Sequence, residues 1–313
     1  MLAILNVTIP FFALVACGYV AARARRVPGS AVGALNTFVL YFALPAMLFR
    51  FAAGAPLATI ANPPVIAAYG LTGLLVLALT VFGLRWGNRD NWADAAFGAL
   101  AASWSNWGYM GFALLPALLG ERAIAVLIAA GITDFVLVVS AALALAARAD
   151  RGHASVLGAL GNALGGVARN PLIWAIGAGM AASALELRLP VALDEFLRLL
   201  GTAAGPVALF AIGVSLYRPQ NAPIGGDTVI MVVTKLLIHP LLCAAVAIHL
   251  FGVGREAAQV LILMATLPAA GTVFLFAERQ GANHERISAV ILLSTVMAFF
   301  TFTAFAALVT GGR

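Results

Sequence analysis

Two apolar stretches of this chain are interrupted in the same way at corresponding places. The first runs AFGALAASWSNWGYMGFALLPALLGERAI from Ala96 to Ile124, and the second VLILMATLPAAGTVFLFAERQGANHERI from Val260 to Ile287. With Ser103 set against Thr266, Gly108 falls opposite Gly271. One added residue then brings Glu121 and Arg122 opposite Glu285 and Arg286. A match of this kind marks an internal repeat. In hydrocarbon, a non-helical stretch of backbone survives only where it is buried in protein or lines a wet cavity. Two broken spans in register therefore predict a path for a solute.

Whether those stretches lie in a membrane is decided by composition. Apolar residues make up 63% of the chain and charged residues 10%, against about 25% charged in ordinary soluble domains. The mean hydropathy is +1.03. We read an all-α polytopic membrane protein, because 313 residues hold roughly ten helices at ~20 residues per span. The net charge of +6 would suggest nucleic acid in a soluble chain, but here the arginines punctuate apolar runs. No nucleic-acid partner is expected. Cys17 and Cys243 lie within apolar segments and offer neither a disulfide framework nor a metal-ligand spacing, so both are expected in the core. No metal or cofactor is expected. The apolar run from Met1 leads into GYVAARARR instead of a small-residue cleavage site, which predicts a retained first helix and no signal peptide.

Ten spans follow from apolar runs bounded by charge, Pro or Gly. Leu2 to Ala22, Ala31 to Ala53, Pro64 to Leu84, Ala95 to Leu119 (broken) and Ala123 to Ala147 make the first five. Pro171 to Leu185, Phe196 to Tyr217, Thr228 to Phe251, Ala257 to Ala277 (broken) and Ile287 to Val309 make the second five. A polar connection at 148–169 separates them. A repeat unit with an odd number of spans enters the membrane in opposite orientation each time, so 1–147 and 170–313 are expected to be inverted copies. Alternate loops divide Arg eleven to six. Arg23, Arg25, Arg26, Arg85, Arg89, Arg148, Arg151, Arg169, Arg218, Arg279 and Arg286 fall on one side, while Arg50, Arg122, Arg188, Arg198, Arg255 and Arg313 fall on the other. The positive-inside rule then puts the connection in the cytoplasm and both termini outside a cell (inner) membrane.

The first break gathers Ser103, Ser105, Asn106 and Tyr109 beside Gly108 and Gly111. Glycine permits unwound backbone, and free N–H groups opening the next half-helix attract an anion's oxygens. Asn106 could bond a carboxylate directly, or merely satisfy nearby backbone. Trp104 and Trp107 could wall a small organic solute, with Phe112, or pack between helices. In the second break, Pro268 removes a donor and disfavours helix at Leu267. Ala269, Ala270 and Gly271 leave room for close approach, and Thr266 and Thr272 supply hydroxyls. Asp134 is the only acidic residue well inside a span and is a candidate coupling or proton-carrying group. Lys235 could attract an anion, pair with Asp134 or snorkel to the interface, and snorkelling is the favoured expectation. His239 and His249 carry little weight as proton relays.

Enzyme signatures are missing. There is no GxxxxGK[ST], and HERIS begins like HExxH but places Ser288 where the second histidine is needed. We expect no catalytic role.

Seven segments, in order and at the right spacing, resemble the auxin efflux carrier (PIN-like) family, which includes bacterial permeases proposed for malate, malonate and related carboxylates. They are LNTFVLYFALPAMLF, SNWGYMGFALLPALLGE, RNPLIWAIGAGM, PVALFAIGVSLY, KLLIHPLL, LPAAGTVFLFAERQGA and ILLSTVMAFFTF. The resemblance covers nearly the whole chain. It implies an elevator-type carrier similar in architecture to bile-acid symporters. Spans one, two, six and seven would form a scaffold and homodimer interface, and spans three to five and eight to ten a mobile transport domain. It also implies a substrate site beside the crossing of spans four and nine. Asn106 matches the polar residue of the first crossover, Pro268 the proline of the second, and Pro45 the kink of the second span that borders the site. Relatives often carry a proline just before the first crossover asparagine, where this chain has Ser105, and GFALLP replaces their GxP spacing.

The expectation is a secondary transporter of a small organic anion, a mono- or dicarboxylate, driven by protons or by the anion gradient itself. A sodium-coupled symporter, or a channel or receptor built on the same breaks, are the alternatives.

Overall fold

The computed structural model describes residues 2–54, 61–87, 90–147, 171–187, 189–217 and 224–311. The expected cytoplasmic connection at 148–169 lies outside them, as do Arg89, Arg188, Arg218 and Arg313 from the charge count. The described residues are helical: α1 Leu2–Arg23, α2 Ala31–Gly54, α3 Pro63–Trp86, α4 Trp92–Ser103, α5 Trp107–Leu119, α6 Ala123–Ala146, α7 Pro171–Ala184, α8 Val191–Leu216, α9 Gly226–Leu250, α10 Arg255–Ala265, α11 Thr272–Arg279 and α12 His284–Thr310. Among them, α1, α2, α3, α6, α8, α9 and α12 are long and apolar enough to cross a membrane, seven in all.

Helix starts follow local chemistry. Asn62 accepts the N–H of Val65 with Pro63 at the first position, Asn91 accepts that of Asp94, and Asn283 that of Arg286. That last cap is why α12 begins at His284, three residues before the sequence boundary. Likewise α8 begins at Val191, not Phe196, since Pro190 opens it and Asp194 suits the positive end of the helix.

Two sets of helices pack around different centres. Helix α1 lies against the second half of α8 and α2 against α7 and α8. Glycines bring these backbones together: a Cβ on Gly213 would strike the carbonyl oxygen of Val15, and one on Gly18 that of Phe210. Such small-residue contacts drive helix association where lipid removes the hydrophobic incentive. In the other set α4 is the hub, buried at every position from Ala95 to Ser103 and packed on α3, α6, α9, α11 and α12. Cys243 is buried as expected. Cys17 is exposed on α1, a correction: a residue in an apolar helix can face lipid as readily as protein.

Candidate functional site

Both interruptions read from the sequence are present, and they meet. Helix α4 stops at Ser103, Trp104 is extended, and the chain turns helical again at Trp107. Helix α10 stops at Ala265 and α11 begins at Thr272. Between them Ser105 and Ala269 form an antiparallel bridge. The N–H of Asn106 donates to the carbonyl of Pro268 at 2.9 Å, and that of Ala270 to the carbonyl of Trp104 at 3.1 Å. Each break leaves main-chain groups that no helix satisfies, and the two breaks satisfy each other. Proline fits this pairing because residue 268 is asked only for its carbonyl. Ala269 N–H completes the set by donating to Ser294 Oγ on α12 at 3.2 Å.

Around this crossing the predicted residues divide. Asn106 is 5% exposed, and its side chain makes no capping hydrogen bond to the helix that follows. Its carbonyl accepts from Met110 and Gly111, which starts α5 with a wide π turn over Trp107–Gly111. Gly108 and Tyr109 lie half-buried on that turn. Gly271 is exposed and Thr272 half-buried at the start of α11. Trp107 packs into the core instead: a Cβ on Gly131 of α6 would sit 2.6 Å from its ring, and Phe112 meets it edge-on at 5.8 Å. Trp104 is buried against Phe135 and Phe276.

A cavity of about 220 Å³ lies next to the first half-helix, at the seam between the two helix sets. Tyr109 and Phe112 form one wall, Leu44 and Met47 of α2 a second, and Phe11 and Thr202 close it from α1 and α8. Pro45 lies half-buried between Leu44 and Met47, just after the π turn Val39–Ala43 of α2. Asn106 and the residues of the second break are not among those lining this cavity.

On the other side of the crossing, Lys235 contradicts the expectation of snorkelling. It is fully buried, and its ammonium donates to Ser105 Oγ at 2.8 Å and to the carbonyl of Ala265 at 2.8 Å, with His239 Nδ1 at 3.0 Å as third neighbour. It therefore ties the first break to the helix end that precedes the second. Three acceptors at bonding distance hold it more firmly than a distant interface could. Asp134 is also fully buried, but neither of its oxygens has a hydrogen-bond partner among the described residues, and no direct ion pair joins it to Lys235. Both residues open or sit on π turns, Asp134–Val139 and Thr234–Ile238, a distortion frequent at functional sites. Sequence reasoning passed over Tyr69, buried on α3 with its hydroxyl 3.5 Å from Ser105 Oγ. It also undervalued His239. Neither sits on a pattern that one sequence could betray.

The aligned Glu-Arg pairs play unequal parts. Arg286 is nearly buried and pairs with Asp90 at 2.8 Å and Asp227 at 2.9 Å, with the carbonyl of Asp94 at 3.2 Å. Arg122 is exposed and only 3.7 Å from Glu256.

A family model described as membrane transport protein matches residues 3–306. A protein of Rhizobium meliloti (strain 1021) named "Putative malonate transporter" is 33% identical over 317 residues, covering 100% of this chain and 98% of that protein. "Uncharacterized transporter YfdV" of Escherichia coli (strain K12) is 28% identical over 93% of this chain and 92% of its own length.

Proposed function

The chain belongs to the membrane transport protein family, that of the auxin efflux carriers, and from that premise we propose that it is a secondary carrier of small organic anions. It is a multi-pass membrane protein of a transporter family, and its relatives point to transport, not catalysis. The observation that carries the substrate class is the crossing itself. Two half-helices, α5 and α11, start beside it and turn their positive ends toward it. The amide of Asn106, which does not cap α5, stands at the same place.

A carboxylate is the group such an arrangement binds best. The adjoining cavity, at about 220 Å³, is smaller than the roughly 300–1,000 Å³ of sites for drug-sized ligands. Its walls are apolar apart from the hydroxyls of Tyr109 and Thr202. Malonate, named for the relative from Rhizobium meliloti, is of suitable size and charge, and malate or an auxin-like acid belongs to the same class.

The proposed architecture has ten spans, α4 with α5 and α10 with α11 each counting as one, in inverted repeats 1–147 and 170–313. Crossed ion pairs support the inversion: Arg122, after the first broken span, reaches Glu256 before the second, and Arg286, after the second, reaches Asp90 before the first. Helices α1, α2, α7 and α8 would be the scaffold and homodimer surface, and the remaining helices the part that slides. The cavity at the seam between these sets is where an elevator would carry its load. The eleven-to-six split of Arg supports a cytoplasmic 148–169 connection and outward termini in the inner membrane.

The test is thermal stabilisation of the purified protein by a panel of carboxylates, malonate included, since a ligand of the folded state raises apparent stability by mass action. Stabilisation by carboxylates and not by neutral or cationic solutes is expected. Stabilisation by neutral or cationic solutes alone would refute the anion reading.

A further inference from the structure

Helices α3, α6 and α9 contribute nothing to the cavity, yet they bring a charged cluster against the back of the crossing. Its two ions are treated unequally. The ammonium of Lys235 has three donors and three acceptors around it, in Ser105 Oγ, the Ala265 carbonyl and His239 Nδ1. With Nδ1 accepting, His239 is neutral and carries its hydrogen on Nε2. Asp134, fully buried, has no donor for either oxygen among the described residues. An ionised carboxylate without donors is among the costliest groups an interior can hold, and protonation removes most of that cost.

The ionisable groups that face Asp134 are Tyr69 from α3 and Lys235 and Cys243 from α9. Gly73 of α3 leaves the carboxylate room, since a Cβ there would sit 3.5 Å from Asp134 Oδ1. Lys235 is thus the one nearby cation among the described residues, and it is also bonded to Ser105, the residue next to Asn106.

We propose that Asp134 is the proton-binding site of this carrier and that Lys235, a positioning residue, links its protonation to occupancy of the crossing. The inference rests on the organic-anion reading given above. With the crossing empty, Asp134 is kept ionised only by the charge of Lys235, with which it makes no direct ion pair among the described residues, so its ionised form is held weakly. An anion bound at the crossing supplies a second negative charge, and Asp134 then takes up one proton from the water on the side to which the site is open. The loaded site holds the ammonium, the anion and a neutral carboxyl. On the far side the anion leaves, the carboxyl gives its proton to water, and Asp134 returns to its ionised form. One proton moves with each anion. By thermodynamic reciprocity, protonation strengthens anion binding by the same factor that the anion strengthens protonation.

The test is an infrared pH titration of the full-length protein in liposomes, with and without malonate, on wild type and Asp134→Asn. We expect a carboxyl band that grows on acidification and is missing from Asp134→Asn. Malonate should move its midpoint upward by about one pH unit for each tenfold gain in malonate affinity on protonation. Should Asp134→Asn not fold, Asp134→Glu, which keeps the acid, is expected to shift the band. A band that does not titrate, or that is the same in the Asp134 variants, overturns the proposal. So does a midpoint that malonate leaves unmoved while stabilising the protein thermally. If malonate neither stabilises the protein nor moves the band, the substrate class fails instead, and the Asp134 band alone decides the proton site.

Discussion

The backbone N–H of Asn106 donates to the carbonyl of Pro268 across the crossing, 2.9 Å away. This bond joins residues 162 positions apart in the chain, and it separates two roles of Asn106. The main chain closes the crossing, while the side-chain amide does not cap α5 and is the group proposed to meet the ligand.

Asn106→Ala therefore keeps the main-chain bond and removes only the amide. We expect a near-wild-type melting temperature with malonate affinity lowered about tenfold to a hundredfold, the worth of a hydrogen bond to a charged group. Calorimetric titration checks this, and an unchanged affinity would move the site away from the crossing.

The ammonium of Lys235 is enclosed by Ser105, Ala265 and His239. Lys235→Ala strips these acceptors of their donor and opens a void beside both breaks. A loss of about 3–5 kcal/mol is expected, read as a large fall in thermal stability in detergent. A snorkelling lysine would tolerate the change, so a small effect would contradict the buried clamp.

Gly131 lies flat against the ring of Trp107. Replacing it by valine forces the indole and the α5 turn apart, at about 1–3 kcal/mol, whereas Gly108→Ala meets nothing within 4 Å. Melting curves of the two variants should differ accordingly. Equal effects would mean that the indole does not pack there.

Arg286 is bound to two carboxylates and a carbonyl that join α4, α9 and α12. Arg122 is exposed beside a single distant carboxylate. Arg286→Ala is expected to destabilise by about 3 kcal/mol and Arg122→Ala to have no measurable effect. Chemical denaturation of the two variants compares them directly.

Composition and span length made the membrane class and the all-helical fold legible, and the paired breaks were legible because Pro268 and the glycines near 108 and 271 disturb an otherwise apolar pattern. What the breaks do to each other was not legible. The bridge of Ser105 to Ala269 depends on how helices α4 and α10 are brought together, and no periodicity encodes that. Lys235 was misjudged for the same reason. Its position two turns into a span says how far it is from the interface, but the acceptors that hold it come from the first break, α9 and α10. Trp107 next to Asn106 looked like a wall for solute, yet the space that receives its ring is made by Gly131 on another helix.

The central claim is that the crossing serves a carrier. Counterflow of labelled malonate in proteoliposomes tests it most directly. We predict saturable uptake into vesicles preloaded with unlabelled malonate, with the half-saturating concentration raised about tenfold to a hundredfold by Asn106→Ala. Flux that rises linearly with concentration, indifferent to preloading, would contradict a carrier and point to a pore.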